Sequence, residues 1–463
     1  MRIPSIDEEK DDHMTHQQRK SNHRTALVLV ALGTVACHGS GSNQDSSAPL
    51  AEASPARDGH AEGEQDRDQV REWNQIFIEM LGATKAPNPA SPRLGAIVHT
   101  AIFDACNGIE QVYAPIHVKD PAPVGASAPA AVVSAAYTAL VGLFPSEEPA
   151  LRARYAASIA ALADESVQSR ERGIAWGRQV ALAVLAWRKA DGFEAERPAF
   201  RGGTAVGQWR PTPPAFGPMV VQGLAFTAPF IVESATQFRP APPRPLSSET
   251  YAEDLAAVAA LGRRAGSTRT EDQTALATFW DTNASIHWNQ AATQMARANH
   301  LSLLDSARLL AAMNVAMADT VTTIWASKRF YGADPRQVTW RPVTSIASAE
   351  TDGNPATAAE PDWQPLIDTP LHPEYPAGHP SLNGAAATVL LDSFDGRSQT
   401  FTLTTTGQPS RTYTSIAQAR SDGNQARVWG GMHYPSSVRI SDAVGQAIAR
   451  HVDRVAMQRA AGK

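Results

Sequence analysis

The sequence predicts an all-α protein. Apolar residues recur at helical spacing along most of the chain, alanine-rich runs lie between them, and strand-like alternation is confined to one short region. The chain has 463 residues, 43% of them hydrophobic, which is enough to bury a large core. We therefore expect two helical bundles packed against each other.

The first 66 residues are not expected to belong to the fold. Three basic residues precede the apolar run 26–36, which is too short to span a bilayer but suits the core of a signal peptide. The tetrapeptide ending at Cys37 resembles a bacterial lipobox, whose cysteine is lipidated after cleavage. We expect a lipoprotein-type signal peptide over residues 1–37, with plain secretion as the alternative, and a flexible tether over residues 38–66. The protein would then be exported, either periplasmic or held at a bacterial membrane by a lipid anchor alone.

Residues 67–246 are predicted to form an N-terminal helical subdomain that ends in a proline-rich connection. Helical periodicity predicts helices over residues 70–81, 93–109, 128–144, 149–163 and 167–189. The connection, residues 196–246, has many prolines and little periodicity. Its apolar side chains indicate an ordered segment pressed against the protein: Trp209, Phe216, Val220, Val221, Phe226 and Phe230.

Residues 247–463 are predicted to form a C-terminal catalytic helical bundle. Predicted helices cover residues 249–262, 270–280, 286–299, 305–330, 382–391, 415–429 and 441–457. Residues 400–406 and 410–414 flank a Gly-Gln-Pro turn and are expected to pair as a small hairpin. We expect no transmembrane span after the signal peptide.

Composition excludes several classes of function. The net charge of -5 and the pI near 6.2 give no basic surplus, so nucleic-acid binding is not expected. Cys37 and Cys106 are the two cysteines, too few for a disulfide scaffold. No His-x3-His or Glu-x2-His pair predicts a divalent-metal hydrolase. Ser381 has no nucleophile-elbow context, which argues against a serine hydrolase.

The most informative stretch is residues 371–381, which sets His379 behind a Pro/Gly-rich turn and in front of the apolar run 382–391. That run should be a buried helix, with Pro380 at its first position. A helix start presents unpaired N–H groups and the positive end of the helix dipole. Gly378 and His379 are therefore expected where an oxyanion would bind.

Two further clusters carry the same chemistry. Lys328 and Arg341 lie upstream, and Arg427 and His433 lie downstream. Guanidinium groups donate paired charge-assisted hydrogen bonds, and three cations nearly balance a tetrahedral trianion. One imidazole, that of His433, can reach the central atom, while His379 exchanges a proton with the opposite apical oxygen.

These clusters resemble the signature shared by vanadium-dependent haloperoxidases and type-2 phosphatidic acid phosphatases. That signature reads Lys-x6-Arg-Pro, then Pro-Ser-Gly-His, then Ser-Arg-x3-Gly-x-His. The resemblance is closer to bacterial haloperoxidases, and it implies two packed helical bundles of the vanadium haloperoxidase and acid phosphatase type. The positions that fit are Arg341, Pro342, Pro376, Gly378, His379, Arg427, Gly431 and His433.

The sequence departs from this signature in three places. Lys328 lies thirteen residues before Arg341 instead of seven, so residues 331–338 look like an inserted loop. Ala377 and Ala426 stand where the family has serines. Each missing hydroxyl removes a neutral hydrogen bond worth roughly 0.5–1.5 kcal/mol, so the anion would be held less tightly without loss of the site.

The resemblance implies vanadate as the cofactor, with hydrogen peroxide, a halide and a small organic acceptor as substrates. His433 would ligate the metal and His379 would be the acid/base. The residues implied to hold the vanadate oxygens are Lys328, Arg341, Gly378 and Arg427. Trp325 and His372 would line the halide pocket, and a histidine at position 372 is typical of members that oxidise bromide.

The residues leave a second enzyme class open. An exported acid phosphatase would use His433 as the nucleophile that forms a phosphohistidine and His379 to protonate the leaving group. Vanadate and the phosphoryl transition state share shape and charge, so these side chains serve either reaction. A surface lipoprotein that only binds phosphate or vanadate is the non-enzymatic alternative. The oligomeric state is left open.

Overall fold

The computed structural model describes residues 68–460, which fold into helices and one short hairpin. The all-α prediction is therefore confirmed. The predicted signal peptide and tether lie outside the described residues.

The first half of the chain forms five α-helices, most of which begin with a side-chain cap. Asp68 accepts hydrogen bonds from the N–H groups of Val70 and Arg71, and serines cap the third and fifth helices in the same way. The second helix packs against the third and the fifth. The helices are α1 (Gln69–Ala83), α2 (Ser91–Glu110), α3 (Ala128–Leu143), α4 (Glu148–Ala160) and α5 (Val167–Lys189).

The second half forms eight further α-helices and the predicted hairpin. In the hairpin, β1 (Phe401–Leu403) pairs antiparallel with β2 (Arg411–Tyr413). The helices are α6 (Glu249–Leu261), α7 (Glu271–Phe279), α8 (Ala284–Ala298), α9 (Leu303–Ala333), α10 (Pro342–Ala347), α11 (Gly378–Ser393), α12 (Ile416–Trp429) and α13 (Pro435–Val455).

Helix α9 is the central element. It packs against α2 on one side and against α11 and α13 on the other. By length and composition α9 alone among the single helices of residues 68–460 could cross a membrane, but 94% of its most apolar window is buried inside the protein. This burial is typical of a core helix.

Helices α11 and α13 approach each other closely because glycines face the contact. A Cβ atom on Gly445 would overlap the carbonyl oxygen of Ser381, and one on Gly384 would overlap that of Asp442. The close approach fixes the start of α11, where His379 lies.

The proline-rich connection is ordered, as expected, and one buried carboxylate holds part of it. Asp319 on α9 accepts hydrogen bonds from the successive N–H groups of Phe230, Ile231 and Val232, at 2.6–2.9 Å. Trp209 is fully buried, whereas Phe216 is 59% exposed. Of the six apolar side chains that indicated a segment pressed against the protein, Phe226 and Val220 are also exposed, at 45% and 37%.

Three predicted boundaries were wrong. Helix α9 continues to Ala333, because Tyr331 is buried and donates a hydrogen bond to the carbonyl of Pro240. The loop predicted over residues 331–338 therefore begins three residues later than predicted. Helix α11 begins at Gly378, which puts Pro380 at its third position instead of its first. Helix α13 begins at Pro435, six residues before the predicted start, and the short helix α10 was not predicted.

Candidate active site

The N-terminal end of α11 faces a cavity of about 170 Å³. Its walls combine charged and imidazole side chains with apolar ones such as Val220 and Leu382. Six of the eight predicted site residues line this cavity: Trp325, His372, Gly378, His379, Arg427 and His433. Lys328 and Arg341 lie buried behind the wall.

His433 follows the C-terminal end of α12, where Gly431 takes a positive φ and turns the chain. The imidazole is buried, and its Nδ1 lies 2.8 Å from Oε1 of Glu374. The carboxylate also accepts hydrogen bonds from the N–H of Tyr434 and from the hydroxyl of Ser437. With a proton held on Nδ1 in this way, Nε2 carries the free lone pair.

Glu374 was missed by the sequence analysis. It lies within residues 371–381, five positions before His379, but the family signature assigns it no role. The available signal was a glutamate among prolines and aromatic residues that were expected to be buried, where an unpaired carboxylate is costly.

Arg341 binds both motifs that surround it. Its Nε donates to the carbonyl of His372 and its Nη1 to the carbonyl of Met432, each at 2.9 Å. Nη1 also lies 3.2 Å from Nε2 of His433, and Nη2 lies 2.7 Å from Nδ1 of His372. Burial lowers the pKa of Arg341, but a guanidinium stays protonated at neutral pH. With its proton on Nδ1, His433 therefore turns the Nε2 lone pair towards an N–H of Arg341, and a ligand at this nitrogen would take over that lone pair.

Lys328 reaches the same cluster despite its longer spacing from Arg341. Its Nζ donates to the carbonyls of Pro373 and Glu374, at 2.6 and 3.0 Å. Burial lowers the pKa of this lysine, as does the charge of Arg341, whereas the carboxylate of Glu374 opposes the shift. Two of the three ammonium protons thus hold the backbone of the histidine motif, and one is left for a ligand.

Arg427, in the last turn of α12, is the cation that faces the cavity. Its Nη1 pairs with Asp281 at 3.2 Å, and its Nε is buried without a hydrogen-bond partner among the described residues. The side chain of Asp281 is 41% exposed, so this pair leaves much of the guanidinium's charge uncompensated in the interior. A buried unsatisfied donor on a cation is the expected mark of an anion site.

His379 occupies the second position of α11. Its Nε2 lies 3.0 Å from the carbonyl oxygen of Thr282 and 3.0 Å from Nδ2 of Asn88. Burial, together with the charge of Arg427, lowers the pKa of this histidine to about 3. The ring is therefore neutral, and Nδ1 is the nitrogen left to exchange a proton with a group in the cavity. Sequence analysis did not anticipate Asn88.

Trp325 and His372 form one wall of the cavity, with ring centroids 5.0 Å apart. The indole N–H donates to the carbonyl of Val220. Burial lowers the pKa of His372, and the charges of Lys328 and Arg341 add to the effect. Nδ1 of the imidazole lies 2.7 Å from Nη2 of Arg341 and 3.1 Å from the carbonyl oxygen of Pro373.

Together these residues fit a tetrahedral oxyanion such as vanadate or phosphate. Lys328, Arg341 and Arg427 are buried around the cavity, with Glu374 as the buried carboxylate among them. The first N–H groups of α11 have no partner inside the helix. Ala377 stands where the family has a serine. It is fully buried, and its N–H donates a hydrogen bond to the hydroxyl of Ser441 on α13.

Comparisons with known proteins agree on the fold. Residues 308–462, about a third of the chain, match the family model of the VCPO second helical-bundle domain. The structure titled the first bacterial vanadium-dependent iodoperoxidase matches with a TM-score of 0.73 and 22% identity over 85% of this chain and 97% of that one. No protein of curated function matches the sequence.

Two bacterial vanadium-dependent chloroperoxidase structures match as well. The apo-type has a TM-score of 0.63 and 17% identity over 80% of this chain and 94% of that one. The holo-type has a TM-score of 0.62 and 16% identity over 86% and 97%. The chain thus has the fold of the bacterial vanadium haloperoxidases, and the resemblance drawn from the three motifs is confirmed at the level of the fold.

Proposed function

We propose that the protein is a vanadate-dependent haloperoxidase that oxidises bromide or iodide with hydrogen peroxide and delivers the oxidised halogen to a small organic acceptor. The observation that carries the proposal is the Glu374–His433 pair, which holds the proton on Nδ1 and leaves the lone pair on Nε2 among three buried cations. The shared fold of bacterial vanadium haloperoxidases supports it.

Binding of the cofactor would use the whole cluster. His433 would ligate the metal through Nε2, because Glu374 holds the proton on Nδ1. Lys328, Arg341, Arg427 and the N–H of Gly378 would hold the oxygens through charge-assisted hydrogen bonds. Bound vanadate supplies a Lewis acid that activates hydrogen peroxide for attack by the halide.

Proton transfer would fall to His379. Its Nε2 is held by Thr282 and Asn88, and its ring faces the cavity from the start of α11. It can therefore accept a proton from hydrogen peroxide as peroxide enters and return the proton to a departing oxygen. Its depressed pKa keeps it available as a base down to mildly acidic pH.

The halide would meet the wall formed by Trp325 and His372. An imidazole there donates or accepts hydrogen bonds, whereas an apolar ring would strip water from the halide. Chloride holds its hydration more tightly and is harder to oxidise, so it depends more on an apolar wall. We therefore propose that bromide and iodide are the substrates.

We also propose that the enzyme works outside the cytoplasm, as a periplasmic protein or a lipoprotein. The support is the apolar run and the lipobox-like tetrapeptide ending at Cys37. Labelling with a radioactive fatty acid in a bacterial host, with Cys37→Ala as control, tests the lipid anchor.

A phosphatase remains the second candidate, because the same cations and the same free nitrogen of His433 suit a phosphoryl group. One experiment separates the two. Purified protein is assayed for halogenation of a phenol dye with bromide, iodide or chloride, with and without vanadate, beside hydrolysis of a phosphomonoester.

We expect vanadate-dependent halogenation with bromide and iodide, weak or no activity with chloride, and no phosphatase turnover in the vanadate-loaded protein. His433→Ala is the matched control and should be inactive. Phosphomonoester hydrolysis that vanadate inhibits, with no halogenation under any condition, would overturn the proposal in favour of the phosphatase.

A further inference from the structure

The indole ring of Trp325 lies among several parts of the candidate site. Its ring centroid is 5.0 Å from that of His372, and Nζ of Lys328 lies 5.8 Å from it. A Cβ atom added to Gly378 would lie 3.5 Å from the ring, so the indole packs over the backbone at the start of α11. The orientation of this ring therefore decides how much room is left in the cavity beside Gly378.

One hydrogen bond holds the indole in this orientation. Its N–H, the one polar group of the side chain, donates to the carbonyl oxygen of Val220 at 3.2 Å. The N–H of Val220 in turn donates to the carbonyl of Leu371, next to His372, at 2.9 Å. The backbone of Val220 thus connects Trp325 to the segment that carries His372, and its side chain lines the same cavity.

The residue that follows, Val221, has a left-handed backbone conformation, with φ 49° and ψ 39°. Among the non-glycine residues of positive φ in the described part of the chain, it is the one with a branched Cβ atom. A β-branched residue is sterically disfavoured in this region and stays there only where the surrounding structure imposes it. Val221 is therefore a strained residue directly beside the cavity.

The strained conformation decides where the carbonyl of Val220 points. The peptide group between Val220 and Val221 is planar, so its carbonyl turns as one unit with the N–H of Val221. The carbonyl of Val221 accepts from the N–H of Leu224 in the 3₁₀ turn Gln222–Phe226, which holds the chain beyond this peptide group. With an ordinary negative φ at Val221 the peptide group would turn over, and its oxygen would point away from Trp325.

We propose that Val221 is a positioning residue that fixes the indole of Trp325, and with it the halide wall, through the carbonyl of Val220. The consequence for halide affinity rests on the proposed function, whereas the position of the indole does not. Lys328, Arg341 and Arg427 are held by contacts of their own. Loss of the left-handed conformation should therefore weaken halide binding more than vanadate binding.

Three variants separate backbone conformation from general destabilisation. Val221→Pro imposes a negative φ and removes the left-handed conformation. Val221→Gly is the conservative variant, because glycine takes a positive φ without steric cost. Phe216→Pro is the matched control: Phe216 also has a positive φ, 48°, in the same proline-rich connection, but its N–H bonds to Thr212, away from the wall.

The first measurement is hydrogen exchange of the indole N–H groups, followed by nitrogen-15 NMR of the full chain without vanadate. The signal of Trp325 is assigned by its loss in Trp325→Phe. We expect slow exchange in wild type, Val221→Gly and Phe216→Pro, and exchange about tenfold faster or more in Val221→Pro, because local opening frees the N–H. Exchange in Val221→Pro no faster than in Phe216→Pro would overturn the proposal. So would rapid exchange in wild type, a result that requires no variant to fold.

The second measurement is bromide turnover at saturating vanadate. Val221→Pro should raise KM for bromide about 3–10-fold, the effect of one lost hydrogen bond, and change vanadate affinity and kcat less than about twofold. Because Val221 acts through Trp325, Val221→Pro should add no further rise in KM to Trp325→Phe. An equal rise in Val221→Gly, or additive effects in the double variant, would count against the proposal. Wild type with a protected indole N–H but no halogenation would refute the proposed function and leave the positioning role standing.

Discussion

At the scale of single residues, the structure adds partners to chemistry that the sequence motifs had already located. Lys328, Arg341, Arg427, His379 and His433 could be found because charged and imidazole side chains recur at fixed spacing beside glycine and proline. Their partners Glu374 and Asn88 could not be found in this way. Both contact residues that lie far away in the chain, and no local pattern encodes such contacts.

Substitution of His433 and substitution of His379 should have different effects on vanadate binding and turnover. His433→Ala should abolish vanadate binding and turnover, because it removes the nitrogen that would ligate the metal. His379→Ala should retain binding and lose about 10²–10⁴-fold in kcat, the usual worth of general acid–base help. Equilibrium binding of vanadate, measured beside kcat, checks both. Unchanged vanadate affinity in His433→Ala would contradict the assignment of the ligand.

Glu374 should contribute more to vanadate affinity than the neighbouring Ser437 does. Replacing it by alanine frees the tautomer of His433 and leaves Lys328 and Arg341 without their buried counter-charge. Loss of such a supporting partner typically costs about 10–100-fold in metal affinity. Vanadate titration of Glu374→Ala should show a loss of that size, whereas Ser437→Ala, which removes one neutral hydrogen bond to the same carboxylate, should change affinity less than about tenfold. Equal effects of the two substitutions would refute this role.

His372→Phe should raise the ratio of chloride to bromide turnover. The aromatic ring removes a hydrogen-bonding imidazole from the wall and provides an apolar surface that desolvates the halide. The substitution also removes the acceptor for Nη2 of Arg341, so we expect weaker vanadate binding in the same variant. The ratio should be measured at one pH, one peroxide concentration and saturating vanadate. Equal ratios in wild type and variant would show that His372 does not select the halide.

At the scale of elements, hydrophobic periodicity placed most helices within three residues of their true ends. Its larger errors are the starts of α11 and α13, which lie four and six residues before the predicted positions. At the start of α13 the N–H of Ser436 donates to Asp254 of α6, a contact that neither segment predicts alone. The proline-rich connection was predicted to be ordered, but the reason for its order, the carboxylate of Asp319 on a distant helix, was not predictable from either segment alone.

Asp319→Asn should loosen this connection. The amide places an N–H₂ group or a weaker acceptor against three backbone donors, and unsatisfied buried donors cost about 1–3 kcal/mol. Because Val220 of the same connection lines the cavity, we expect a lower Tm together with a higher KM for the organic acceptor.

Asp104→Asn is the matched control for this prediction. Asp104 accepts hydrogen bonds from three successive N–H groups, those of Ile116, His117 and Val118, in another loop. It should lower Tm to a similar degree and leave KM unchanged. A change of KM in both variants would show that general destabilisation, and not the connection itself, affects the site.

At the scale of the whole molecule, fold class and superfamily could be predicted, because they depend on patterns repeated along the chain. The balance of buried charge could not be predicted from the sequence. Residues 68–460 bury several histidines that must stay neutral, and burial lowers the pKa values of His99 and His287 to about 3. The buried carboxyls of Asp104 and Asp319 have pKa values raised to about 6, again by burial.

These shifts act in opposite directions below neutral pH. A histidine whose pKa is lowered on folding contributes its full stabilisation above a pH of about 6.5, the pKa of histidine in the unfolded chain. This stabilisation is lost as the pH falls, because the unfolded chain takes up the proton first. A carboxyl whose pKa is raised gains relative stability as the pH falls from about 6 to about 4. The site residues His372, His379 and His433 shift in the same direction as His99 and His287. Burial also raises the pKa of Glu374 to about 7, so Glu374 acts with Asp104 and Asp319. Between pH 7 and pH 5, however, the five histidines lose stability over most of the interval, whereas the two aspartates gain it only below about pH 6.

We therefore expect Tm to fall as the pH is lowered from 7 to 5. The contribution of a single histidine to this fall can be measured at His99. It lies away from the cavity, where its Nε2 contacts the side-chain oxygen of Asn74. His99→Gln keeps a donor for that oxygen but cannot titrate, so it should remove about 1.4 kcal/mol per pH unit from the acid dependence of stability. The measurement is Tm of wild type and variant at pH 7 and pH 5 in the absence of oxyanions. The wild type should lose more Tm than the variant over this interval, and an equal loss in the two proteins would mean that His99 is not held neutral by the fold.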